Sequence, residues 1–185
     1  WSQSGPLRSW EIIQSLGVDF RNRASASVRR VEDVQRFEQE FRNRRTELAL
    51  GYNTREYQAV LVGYAFGRNF DSDLRLITAQ ASYKVTPQLS VEYELERLTL
   101  EPDPDSATTW IHVARLNQFF TKDLFLRLFY QTNSAIDRRN VQAVVVWRYL
   151  PPFGTLQLAY QRGTAAFGAR SDQGNTLFVK ATAVF

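Results

Sequence analysis

Three carboxylates stand two residues apart in Leu89-Ser90-Val91-Glu92-Tyr93-Glu94-Leu95-Glu96, a spacing that suggests chemistry. Residues at i, i+2 and i+4 share one face of a strand. Glu92, Glu94 and Glu96 therefore line one surface, and Leu89, Val91, Tyr93 and Leu95 line the other. Paired carboxylates suit glycoside cleavage, with one as acid and one as nucleophile. A rung of them also suits a cation path. The plainer reading is a hydrated wall balanced by cations, because an unpaired charge is costly to bury. Arg115, Arg127, Arg148 and Lys180 fall on equivalent faces of other alternating segments and complete a candidate lumen-facing set.

The remaining chemistry is sparse. His112 is the sole histidine, and Val113-Ala114-Arg115 follow it without a His-x-Ser arrangement. A hydrolytic triad needs a nucleophile and an orienting acid around that base, and one histidine does not make a zinc site. His112 reads as a structural strand residue, no catalytic residue is assigned, and the chain reads as a non-enzyme. Glu101, Asp103 and Asp105 offer alternating oxygens to calcium, but the glycine and distal glutamate of an EF-hand loop are missing. Arg36, Arg42, Arg44 and Arg45 form a basic cluster that suits either anionic lipid headgroups or a solvated loop. There is no cysteine, hence no disulfide framework or thiolate site, and no phosphate-binding glycine loop. No cofactor or metal is expected. The net charge of +4 is spread along the chain without a recognition helix or Gly-aromatic RNA motif, so no nucleic-acid partner is expected.

These residues sit on alternating segments. After a polar lead-in over residues 1–9, residues 10–185 read as eleven strands. The last, from Gly174, puts Leu177, Val179, Ala181, Ala183 and Phe185 on one apolar face, with Thr176, Lys180 and Thr182 opposite. Twelve residues tilted near 45° cross roughly the height of a bilayer's apolar band. A strand closing on Phe185 resembles the assembly signal of bacterial outer-membrane β-barrels. That resemblance implies outer-membrane lipid and the barrel-assembly machinery as partners. Apolar runs are too short for a transmembrane helix, as in Ala143-Val144-Val145-Val146-Trp147. Residues 35–44 are highly charged and read as a loop, as does Gly67 to Ser72. Over the C-terminal half the connections alternate, with short turns at 86–88, 121–123 and 150–154 and longer loops between them. Outer-membrane barrels show short periplasmic turns and long external loops. Aromatics near strand ends (Tyr83, Phe119, Phe120, Tyr149, Phe153) suit their girdles. A soluble barrel holding an apolar ligand would turn the same faces the other way, and alternation alone does not choose between them.

Residues 45–185 further resemble the C-terminal barrel of a family of large bacterial outer-membrane proteins that carry a carbohydrate-binding family 9-like domain ahead of it. The likeness rests on Tyr83-Lys84-Val85-Thr86-Pro87-Gln88-Leu89-Ser90-Val91, Phe119-Phe120-Thr121-Lys122-Asp123-Leu124-Phe125-Leu126-Arg127 and Tyr130-Gln131-Thr132-Asn133-Ser134, with Trp147-Arg148-Tyr149 before a proline turn. It implies a sugar-related domain before residue 1, and it carries over no glycan-binding residue.

The expectation is an all-β, antiparallel up-and-down transmembrane barrel of about 10–11 strands in the bacterial outer membrane, acting as a channel or anchor. The chain starts on Trp1 and contains no methionine, which reads as a processed or truncated piece. Single-chain bacterial barrels have even strand numbers. Eleven strands therefore predict the C-terminal part of a larger barrel, completed by strands upstream or from another chain. Closure on itself would imply ten.

Overall fold

The structure, a computed structural model, describes residues 9–36, 39–102, 108–152, 154–163 and 174–183. Eleven strands follow in chain order: β1 (Ser9–Asp19), β2 (Ala24–Arg36), β3 (Glu40–Tyr52), β4 (Ala59–Asn69), β5 (Ser72–Lys84), β6 (Leu89–Glu101), β7 (Thr109–Phe119), β8 (Leu124–Asn133), β9 (Arg138–Leu150), β10 (Gly154–Gly163) and β11 (Gly174–Ala183). They form one antiparallel sheet in sequence order, each strand bonded to the next. Among the described residues the sheet is not closed, and β1 and β11 each pair with one strand only. Among the described residues no helix is long and apolar enough to cross a membrane, which says nothing of strands.

Local chemistry sets the hairpins. Thr86 and Thr121 use the same device, each hydroxyl accepting from two backbone N–H groups further along. For Thr86 these are Gln88 at 3.2 Å and Leu89 at 3.0 Å; for Thr121 they are Asp123 at 3.1 Å and Leu124 at 3.0 Å. A side-chain oxygen that satisfies turn amides stabilises a tight reversal. At the other end of β8, Asn133 accepts from Ala135 N at 3.0 Å and opens a 3-10 turn over Ser134–Ile136.

Two stretches expected as loops are largely strand. In the charged run, β2 continues to Arg36 and β3 starts at Glu40, with Val34 opposite Arg42 and Glu32 opposite Arg44. Arg36 pairs with Glu40 there, and so does Arg42 at 2.9 Å. The cross-strand Arg36–Glu40 pair, with Arg42 joining it from within β3, supports a polar hairpin that its composition alone does not reveal. Likewise β4 and β5 run on until only Phe70 and Asp71 join them. That two-residue reversal stands at the same end as the 102–108 and 134–137 connections, while 53–58 lies at the opposite end. The expected alternation of short and long connections therefore fails in the N-terminal half. In the C-terminal half the 134–137 connection is no longer than 85–88 or 120–123, because β9 starts at Arg138 and takes in residues expected as loop.

Register sorts the two faces across the whole sheet. Leu16, Val28, Leu48, Tyr64 and Ile77 stand opposite one another on β1 to β5. Val141, Leu158 and Val179 share that apolar face through β9 to β11. It is the open face, with Leu50 66% and Tyr52 56% exposed. The other face is crowded, with Val31 at 1% exposure. A single sheet has no second layer to cover its apolar side, so the usual inward-apolar arrangement of a soluble sandwich is absent from the described residues.

Candidate functional site

The polar face gathers the charges. Glu47 on β3 accepts from Arg29 at 3.2 Å and from Arg45 at 2.7 Å. On β6 and β7, Arg115 donates to Glu94 at 2.6 Å and lies 3.6 Å from Glu92, which also accepts from the Tyr57 hydroxyl at 3.0 Å. One guanidinium thus clamps two carboxylates of the row. The seven candidate lumen residues share this face by register: Glu92 stands opposite Arg115, Arg127 opposite Asn117, and Lys180 opposite Gln157.

The pairing is narrower than expected. Glu96, Arg127, Arg148 and Lys180 form no salt bridge among the described residues; of the cations, Arg115 alone meets the row. Arg127 lies level with Asn117 and Ser90, one step off the carboxylates, while Arg148 on β9 and Lys180 on β11 stand several strands away from β6. Arg127 and Arg148 instead flank the Phe125 ring at 5.1 and 5.7 Å, and Arg115 lies 5.8 Å over Phe129. Such cation–π contacts hold a guanidinium without neutralising it. Acid is therefore concentrated on β6, and unneutralised cations on β8, β9 and β11. Between them a hollow of about 420 Å³ is lined by Arg115, Asn117, Arg127, Gln142 and Gln157 with the two phenyl rings.

His112 lies on the apolar face. Its Nδ1 shares a hydrogen bond of 2.7 Å with the Tyr93 hydroxyl, and its ring stacks on Trp110 at 6.0 Å, over which Arg97 sits at 5.3 Å. Its partner is a phenol rather than a serine or a carboxylate. Of the calcium candidates, Glu101 faces Arg75 at 3.5 Å, and Asp103 and Asp105 lie outside the described residues. The described residues contain no cluster of three or more metal-ligating groups.

Aromatic residues mark both margins of the apolar face. Tyr52, Tyr83, Trp147 and Tyr149 stand at the end carrying the 53–58, 85–88 and 120–123 connections; Trp10, Phe66, Trp110, Tyr130 and Tyr160 stand toward the other. Phe119 is a correction: it packs on the polar face against Phe125 at 5.4 Å, because Phe119 and Phe125 are cross-strand partners. Phe153 and Phe185 lie outside the described residues, while Leu177, Val179, Ala181 and Ala183 are open on the apolar face. Arg45 also leaves the expected basic cluster, turning to Glu47 on the polar face.

Asn43 is a residue that sequence reading missed. It is 6% exposed, donates to Asp33 at 2.8 Å, and accepts from Phe70 N at 2.5 Å. Phe70 has φ 53 and its ring meets Phe41 at 5.1 Å, edge to face. Asn43 therefore pins the β4–β5 hairpin against the polar face. An asparagine inside a charge run carries no signal of this, since its partner is 27 residues away.

Comparison with known proteins returns no match to a family model, to a curated protein or to a solved structure.

Proposed function

We propose that this chain forms part of the wall of a β-barrel in the bacterial outer membrane, with the apolar face toward lipid and the polar face toward a water-filled lumen. In this reading it serves as a channel or membrane anchor and performs no catalysis. One observation carries the reading: in a single-layer sheet, an open apolar face is bounded at both margins by aromatic residues. A soluble protein rarely leaves so continuous an apolar surface uncovered. On β9 the outward row from Val141 to Tyr149 spans about 27 Å along the strand, roughly 20 Å of height at 45°. The rings at its margins extend that toward the ~25 Å band of outer-membrane barrels.

The edges of β1 and β11 that pair with no described strand call for strand partners, since unpaired edges recruit other chains. Further strands, upstream or from another chain, would supply them. The C-terminal strand would be the contact for the barrel-assembly machinery, and the family resemblance adds an upstream sugar-related domain as a proposal. The rival, a soluble barrel holding an apolar ligand, needs the apolar face to be the crowded one. The exposures favour the opposite.

Cell fractionation tests the reading. The protein is expected in the outer-membrane fraction, released by detergent alone, with Trp147 fluorescence quenched by lipid-borne quenchers. A chain recovered in water without detergent, with Trp147 unquenched, refutes it.

A further inference from the structure

We propose that the apolar face of β2–β4, just beyond its Trp10–Phe66 margin, binds the phosphate of an anionic lipid headgroup. Arg44 and Arg68 stand directly opposite each other on neighbouring strands. Like charges in that position repel, and two of the carboxylates nearby, Glu32 and Glu40, are already engaged. Glu32 takes two hydrogen bonds from Arg30, at 2.9 and 2.8 Å, and reaches Arg44 only at 3.6 Å. Glu40 is held between Arg36 and Arg42. Among the described residues Arg68 forms no salt bridge, although Asp73 is its register partner on β5 and lines the same hollow. No carboxylate among the described residues bridges the two guanidiniums, a role that phosphate can fill.

The surroundings select a lipid over a free anion. The arginines line a hollow of about 1070 Å³ that also contains Trp10 and Phe66, with the carboxylates of Glu32, Asp33, Glu40 and Asp73 on its wall. Phe66 lies two residues from Arg68 on the same face, and Val62 and Leu48 continue the apolar surface from there. A ligand that satisfies both parts has an anionic head and a long apolar tail. The proposal rests on the membrane reading above and adds which end of the sheet meets an anionic headgroup layer.

Spin-labelled phosphatidylglycerol and spin-labelled phosphatidylcholine, each added to the folded protein in phosphatidylcholine vesicles, measure the preference directly. The wild type is expected to favour phosphatidylglycerol. A basic residue near a membrane surface is worth about fivefold in affinity, so R44Q/R68Q should lose roughly 20-fold of that preference. R44K/R68K should retain most of it, and R127Q/R148Q on the polar face should leave it unchanged. A motionally restricted phosphatidylcholine shell without anionic preference, or a preference that survives R44Q/R68Q, overturns the proposal while leaving the membrane reading intact. Full displacement by equimolar inorganic phosphate overturns it in favour of a free-phosphate site. Absence of any restricted lipid overturns the membrane reading and this proposal with it.

Discussion

Replacing Val145 by arginine puts the lipid-facing assignment at risk with a single side chain. Val145 lies on the apolar face of β9, opposite Leu126 on β8 and Leu158 on β10, with Ala143 and Trp147 along its own strand. Four residues separate it from Val141 and four from Tyr149, about 13 Å of strand each way. An arginine there would have only part of its length available for snorkelling to either margin. At the midplane of an outer-membrane barrel, arginine costs about 2–4 kcal/mol. That corresponds to roughly 30- to 1000-fold in the folding equilibrium. The matched control is Gln142→Arg, on the polar face opposite Phe129 and Gln161. In a hydrated lumen it should stay within about 0.5 kcal/mol of the wild type. Urea titration of folding into phosphatidylcholine vesicles, followed by tryptophan fluorescence, gives both costs at an unchanged slope. Equal costs for the two variants would refute the assignment. A soluble barrel with the apolar face inside would also penalise Val145→Arg, but its wild type would fold equally well without vesicles.

Other outcomes follow from single positions. Asn43→Ala removes the acceptor of Phe70 N and a donor to Asp33; the cost should be about 1–2 kcal/mol in the same titration, since an unpaired polar group costs that order when water reaches it incompletely. Gly67 has φ +149, and a Cβ there would lie 2.7 Å from the Arg45 Cα. Gly67→Ala should therefore cost about 1–3 kcal/mol, well above Gly63→Ala, whose Cβ meets chiefly the movable Thr78 hydroxyl. Hydrogen bonds from Arg36 and then Arg42 hold the Glu40 carboxyl below its ordinary value of 4.5. The clamp at the β2–β3 tip is thus fully formed above pH 4.5 and is lost as pH falls through the lowered value. NMR titration should place the Glu40 midpoint below 4.5, and a midpoint at or above 4.5 would refute the clamp.

Much of the sheet was legible because its signal is local. The period of two follows from strand geometry within one segment, so the apolar row of Leu177, Val179, Ala181 and Ala183 and the carboxylate row of β6 could be read without knowing their neighbours. The threonine-led turns at 86 and 121 are equally local, with every partner within three residues. Tertiary structure decided what depends on pairing. Alternation is unchanged when its two faces are exchanged, so only the packed sheet shows that the polar side is crowded and the apolar side open. Strand status within the charged run came from Arg36 meeting Glu40 across a hairpin, an energy that neither segment has alone. The sides taken by Arg45 and Phe119 are set by register against β2 and β8. Strand order and register also left Arg127 and Arg148 on Phe125 instead of on the carboxylates, Arg127 one step off level with them and Arg148 three strands away from β6.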